Sequence, residues 1–208
     1  MLSHYKEPFQ RLGDPVARAL LRSNVRPNHL TVVGLGVSIL AACALASGRL
    51  RVCALLLALA GLFDFFDGSL ARLANRVSAF GAFLDSVVDR YSDLALFMGL
   101  LVYYASINRF FYIVLTAVVM TGSVMVSYTR ARAENSIPTC KVGFMERPER
   151  VVLLIIGALS DRIPEVLWVI AVLANLTVVQ RMVFTWQEAK RLEEAQLRPP
   201  PVVRRAKA

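Results

Sequence analysis

Residues 51–104 read RVCALLLALA GLFDFFDGSL ARLANRVSAF GAFLDSVVDR YSDLALFMGL LVYY. Two runs within them, 51–70 and 80–104, are long and apolar enough to cross a bilayer, and a short basic connector with Arg72 and Arg76 joins them. A spanning helix needs about 20 predominantly apolar residues to cover roughly 30 Å of hydrocarbon. The same runs carry Asp64, Asp67, Asp85 and Asp89. A charged side chain at the centre of a spanning helix costs about 2.5–3.5 kcal/mol on insertion scales, so four carboxylates here call for metal, counter-charge or water.

Outward from this stretch the pattern repeats, with further apolar runs near 29–47, 109–129, 147–160 and 163–185. With 56% hydrophobic residues in 208 and a mean hydropathy of +0.53, the chain reads as an all-α integral membrane protein of about six transmembrane helices. The fifth run is short enough to sit tilted or in a thinned region. No linker is long enough to separate two halves, so one bundle is expected. Three segments follow: a juxtamembrane amphipathic helix over 1–26, a transmembrane domain over 27–188 and a basic, proline-containing tail over 189–208.

The formal net charge of +9 is placed by topology. Basic residues collect before the first run (Lys6, Arg11, Arg18, Arg22, Arg26), after the second, between the fourth and fifth (Arg130, Arg132, Lys141, Arg147, Arg150) and at the end of the chain. By the positive-inside rule these segments are cytoplasmic, which puts both termini inside a cytoplasmic membrane and agrees with an even number of spans. The opposite connectors carry fewer charges, although Arg49 and Arg51 weaken the contrast. No aromatic-basic interleaving points to nucleic acid.

In 2–21, apolar residues (Leu2, Tyr5, Phe9, Leu12, Val16, Leu20) recur at helical spacing among charges, unlike the apolar core of a cleavable signal. This helix is expected to lie on the inner leaflet, held by apolar insertion and anionic headgroups, or else to pack against the bundle. From Arg198 the tail, with Pro199, Pro200 and Pro201, reads as extended. Cys43, Cys53 and Cys140 are too few and scattered for a disulfide framework or metal site and are read as packing residues.

Asp64 and Asp67 are three apart and Asp85 and Asp89 four apart, so each pair shares one helix face. If the second and third runs are antiparallel neighbours, with Gly68 and Gly81 letting them approach, the two pairs converge. Four hard oxygen donors at one level suit Mg²⁺ or Mn²⁺, which bind carboxylate, water and substrate phosphate. The plain alternative is a set of ion pairs with Arg72, Arg76 and Arg90.

The run Asp64, Asp67, Gly68, Ala71 and Arg72, then eight residues to Gly81, three to Asp85 and three to Asp89, resembles the signature of the CDP-alcohol phosphotransferase family at every defined position. Residues 26–31, Arg26 to Thr31, and the six runs extend the resemblance over most of the chain. It implies an integral membrane enzyme, usually a homodimer, that transfers a phosphatidyl-type group from CDP-diacylglycerol or a related CDP-lipid to an alcohol and releases CMP. By the same resemblance Asp64, Asp67, Asp85 and Asp89 would hold one or two Mg²⁺ or Mn²⁺ ions against the diphosphate. Gly68, Ala71, Arg72 and Gly81 would line the CDP site, and Asp89 would act as general base on the attacking hydroxyl. Asn28 and Thr31 either reach the nucleotide or cap the first helix, as Asn-x-x-Thr does at a helix N-terminus. His4 and His29 read as interfacial.

The acceptor is read from the second half, where Arg130 and Arg132 precede Glu146, Arg147, Pro148, Glu149 and Arg150, and Arg181 interrupts an otherwise apolar run. So much positive charge suits an alcohol phosphate better than an uncharged acceptor, with Glu146 and Glu149 neutralising part of it. This half, with Asp89 to Asp93, is similar to the branch of the family that makes phosphatidylinositol phosphate or archaetidylinositol phosphate from inositol 1-phosphate. That branch implies Arg130, Arg150 and Arg181, with Arg147 beside them, as the phosphate clamp. Asp93 would receive ring hydroxyls or pair with Arg90 or Arg130. A phosphatidylglycerophosphate synthase using glycerol 3-phosphate is the alternative. The rivals from other classes are a cation transporter, disfavoured because the aspartates crowd toward the cytoplasmic face and away from the midplane, and a membrane-surface scaffold.

Overall fold

The computed structural model describes residues 27–73 and 78–197, with the side chains of 27, 67–69, 71–73, 196 and 197 set aside. The amphipathic helix expected before residue 26 and the tail from Arg198 lie outside the described residues. Those described form helices and connectors, without a strand: α1 Pro27–Ala46, α2 Leu50–Leu73, α3 Ala79–Ser106, α4 Phe110–Ala133, α5 Arg147–Leu159 and α6 Ile163–Leu197. Each covers one of the apolar runs. The last continues as a helix well past residue 185, carrying its polar end with it.

Among the described residues, three helices are long and apolar enough, by length and composition, to cross a membrane: Asn28–Ala46, Phe110–Ala133 and Ile163–Ala195. Of the others, α2 and α3 have 24 and 28 residues and carry the aspartates. Helix α5 has 13 residues, about 20 Å at 1.5 Å per residue.

Helices α1 and α2, α3 and α4, and α5 and α6 are joined by three-residue turns with one left-handed residue each, Gly48, Asn108 and Asp161. All three close with a hydrogen bond back across six residues, Arg49 N–H to the Ala44 carbonyl and Arg109 N–H to the Tyr104 carbonyl at 2.9 Å and Arg162 N–H to the Gly157 carbonyl at 2.8 Å. Such a closure satisfies carbonyls that a helix end otherwise leaves unpaired.

Helix α1 packs along both α2 and α3, α4 along α3 and α6, and α5 along α2 and α6. Among the described residues the second and third helices are not closely packed on each other, contrary to the sequence expectation; α1 packs along both. The tightest backbone approach is at Gly99 of α3, where a Cβ would stand 2.5 Å from the Ala42 carbonyl oxygen of α1. Gly81 faces α1 as well, with Asn28 Oδ1 3.6 Å from the position of a Cβ.

The core joins Ala41 and Leu45 of α1, Leu57 of α2, Phe97 and Leu100 of α3, Val119 of α4 and Leu167 and Ile170 of α6. Large apolar side chains also cover the outside, among them Leu40, Leu55, Val102, Phe110, Val172 and Val179. Continuous outward apolarity of this extent fits a hydrocarbon surrounding. Cys53 and Cys140 are buried, as packing residues should be, whereas Cys43 is exposed on the outer surface.

Replacing Gly99 by Ala is expected to lower stability by about 1–3 kcal/mol, since the helices must part to admit the methyl group. Gly36→Ala, where a Cβ meets nothing within 4 Å, is the control. Thermal unfolding of the two variants in detergent measures the difference.

Candidate active site

Asp64 stands two turns before the end of α2, and its Oδ1 lies 3.4 Å from where a Cβ on Gly34 of α1 would be. Across from it, Asp85, Asp89 and Asp93 follow one another at four-residue spacing along one face of α3. All four are partly buried.

The charge that meets them comes from the first residue of α5. Arg147 Nη1 lies 2.6 Å from Asp64 Oδ2 and 2.8 Å from Asp89 Oδ1, and its Nε is 3.4 Å from Asp93 Oδ1. Arg150, one turn on, places Nη2 2.6 Å from Asp93 Oδ2. Arg90, which the sequence offered as a partner for the acids, instead donates to the carbonyl and hydroxyl of Ser86 one turn back. Asp93 thus pairs with α5, and not with Arg90 or Arg130.

The start of α5 is fixed by the loop before it. Thr177 of α6 accepts from the main-chain N–H groups of Phe144 and Met145 at 3.2 and 3.1 Å. Arg181, one turn further, donates from Nε to the Val142 carbonyl at 2.9 Å, from Nη1 to the Val126 carbonyl and from Nη2 to Glu146 Oε1 at 3.0 Å. Gly143, at φ +127°, passes so close to the Thr177 methyl that a Cβ has no room. Pro148 in the first turn of α5 then suits a helix start, where no N–H partner is lost.

Two cavities meet at this cluster. The larger, about 710 Å³, has Asp64, Asp85, Asp93 and Arg147 in its wall and continues along Leu57 of α2 and Val151 of α5. The smaller, about 190 Å³, is lined by Asp89, Asp93, Arg130, Glu146, Arg147 and Arg181 among others. Asp93, Arg147 and Pro148 belong to both.

Of the residues expected at a nucleotide or metal site, the side chains of Asp67, Gly68, Ala71 and Arg72 lie outside the described residues. Thr31 is buried in the second turn of α1, and Asn28 stands in its first turn beside Gly81. The carboxylates are hard donors, suited to Mg²⁺ or Mn²⁺. Asp89 Oδ1 is buried and, although close to Arg147, has no aligned hydrogen bond, an oxygen a cation would satisfy. Among the described residues, however, no three His, Cys, Asp or Glu side chains are gathered closely enough to hold an ion. Arg147 stands between Asp64 and Asp89, so the chemistry of the set fits a divalent cation and its present spacing fits a guanidinium.

Of the residues expected at an acceptor phosphate, Arg130, Arg147 and Arg181 line the smaller cavity. Arg150 is not in its lining and is 1% exposed, committed to Asp93 and to the Met145 carbonyl. Glu146, read from sequence as a neutralising charge, proves to be a wall of the cavity. Its only sequence signal is that it is an anion placed directly before Arg147 and Pro148.

Comparison with known proteins bears on this arrangement. The family model described as CDP-alcohol phosphatidyltransferase matches residues 24–190. The archaetidylinositol phosphate synthase of Methanothermobacter thermautotrophicus is 34% identical over 196 residues, 91% of this chain and 96% of that protein. The crystal structure of Mycobacterium tuberculosis phosphatidylinositol phosphate synthase with CDP-DAG bound is similar with a TM-score of 0.79 at 31% identity, over 95% of this chain and 100% of that one. The structure of the same enzyme in complex with manganese and citrate gives 0.78 at 31% identity, over 94% and 93%.

Arg150→Met is expected to cost about 3 kcal/mol, because removing the nearer partner of a buried pair leaves the Asp93 charge with only its longer contact to Arg147. Adding Asp93→Asn should recover part of the loss. Thermal unfolding of the two single variants and the double variant checks the coupling.

Proposed function

The chain belongs to the CDP-alcohol phosphatidyltransferase family, and on that premise we propose that it transfers a phosphatidyl-type group from CDP-diacylglycerol, or an ether-linked CDP-lipid, to inositol 1-phosphate with release of CMP. Membership makes it a membrane enzyme of phospholipid synthesis and sets aside the transporter and scaffold readings. The acceptor is supported by its relatives, an archaetidylinositol phosphate synthase and a phosphatidylinositol phosphate synthase. The observation that carries it is the shared wall between the carboxylate cavity and an arginine-lined one, at Asp93 and Arg147.

In this reading all six helices cross the membrane with both termini cytoplasmic, residues 1–26 lie on the inner leaflet, residues 189–208 form a basic tail and the protein works as a homodimer. The donor headgroup enters the larger cavity, and its tails follow the apolar wall of Leu57 and Val151 toward lipid. Asn28, Thr31, Gly68, Ala71, Arg72 and Gly81 contact the CDP moiety, the small residues by leaving room and Arg72 by charge. Asp64, Asp67, Asp85 and Asp89 hold Mg²⁺ or Mn²⁺, and a relative has been crystallised with manganese. Such an ion supplies charge compensation for the diphosphate and for the departing CMP.

Arg147 gives up Asp64 and Asp89 to the cation, and its charge becomes available to the acceptor phosphate beside Arg130 and Arg181. Arg150 contributes by fixing Asp93, which receives the ring hydroxyls. Asp89 takes the proton from the attacking hydroxyl. That oxygen bonds to the lipid-side phosphorus as the bond to the CMP oxygen breaks.

Purified protein should release CMP from CDP-diacylglycerol with Mg²⁺ or Mn²⁺ when given inositol 1-phosphate, and not with free inositol or serine. Turnover with glycerol 3-phosphate alone would replace the acceptor and make the chain a phosphatidylglycerophosphate synthase. Asp89→Asn should slow transfer by about 10²-fold or more while nucleotide still binds, and a wild-type rate would remove it as the base.

A further inference from the structure

Glu146 has no role in the proposed transfer, yet it occupies the place where an acceptor phosphate would be held. One of its carboxylate oxygens, Oε1, is 3.1 Å from Arg130 Nη1 and 3.0 Å from Arg181 Nη2. Two arginines that converge on a single oxygen have the geometry of an anion clamp. Arg181 differs from Glu146 in how firmly it is held, while the Arg130 side chain is about as exposed as that of Glu146. Arg181 is 1% exposed and spends its other donors on main-chain carbonyls. Arg130 keeps a second partner, Glu134 Oε1, at 3.1 Å. The Glu146 side chain is 42% exposed. It precedes α5 in extended backbone, φ −88° and ψ −178°, and makes no capping hydrogen bond there. Glu146 can therefore swing into water without unpairing a helix end, while Arg181 stays fixed and Arg130 keeps its pair with Glu134.

We propose that Glu146 is a built-in occupant of the acceptor-phosphate pocket, a carboxylate that the incoming phosphate must displace from Arg130 and Arg181. This rests on the reading of those arginines as the phosphate site. The exchange selects by charge. A phosphate monoester carries about −1.5 to −2 charges and three acceptor oxygens, so it outcompetes a single carboxylate for two guanidinium groups. An uncharged alcohol has nothing to offer in exchange and meets a pocket whose positive charge is already neutralised. Glu146 is thus a specificity-determining residue: it lowers affinity for every acceptor and excludes the neutral ones.

The test is titration of the full-length protein in detergent with inorganic phosphate, followed by calorimetry, for the wild type, Glu146→Gln, Glu146→Ala and Arg130→Gln. Both Glu146 variants should bind phosphate about five- to tenfold tighter, the scale set by two partly exposed ion pairs, and Arg130→Gln should bind it more weakly. Unchanged or weaker binding in both Glu146 variants, with Arg130→Gln still impaired, overturns the proposal and leaves the arginine site standing. Wild-type affinity in Arg130→Gln overturns the arginine site and the proposal with it. Unfolding temperatures recorded on the same samples identify a variant that has lost its fold, and the remaining Glu146 variant then decides.

Discussion

The guanidinium of Arg147 meets carboxylates from two other helices, Asp64 of α2 and Asp89 and Asp93 of α3. Acids in such apolar helices need a cation nearby, and α5 brings one to them. That need accounts for much of the local architecture. It ties the N-terminus of the shortest helix to the acidic face of α3, and it explains why the loop before α5 is so firmly held by Thr177 and Arg181 of α6. It also lets α2 and α3 stand apart across a cavity without like charges facing each other unopposed.

From this junction the two cavities acquire opposite character. One is acidic at the junction and apolar beyond it, as a lipid with a charged headgroup requires. The other gathers arginines around a small volume. The transfer proposed above needs both environments within reach of one proton acceptor, and Asp89, proposed for that part, borders the carboxylate cluster and lines the arginine cavity. Residues at the start of α5 present both signs of charge there: Arg147 to the acids, Glu146 to the arginines.

Much of this was legible in the sequence, because membrane helices announce themselves by long apolar runs and the aspartate signature has fixed spacing. Six runs gave six helices, and the face shared by Asp85, Asp89 and Asp93 follows from helical periodicity. What could not be read was the lateral order of the helices. Among the described residues, sequence neighbours α2 and α3 each pack along α1 and face each other across a cavity, with Gly99 letting the α1 and α3 backbones touch. The pairing of charges was hidden for the same reason. Arg90 is the nearest base in sequence, yet its side chain turns back to Ser86, and the acids are met by Arg147 from a helix far along the chain. Glu146 was legible as a charge that neutralises part of the arginine cluster, but not which arginines it meets until the fold placed it between Arg130 and Arg181.

If Asp64 and Asp89 serve a divalent cation, as proposed, Arg147 holds the ion's place between them until it binds. Crystals grown with Mn²⁺ and recorded where manganese scatters anomalously would test it directly. The expected result is an anomalous peak among the carboxylates of Asp64, Asp85 and Asp89, with the Arg147 guanidinium moved toward the arginine cavity. A peak at other residues, or Arg147 still paired with Asp64 and Asp89 while the ion is bound, would contradict it.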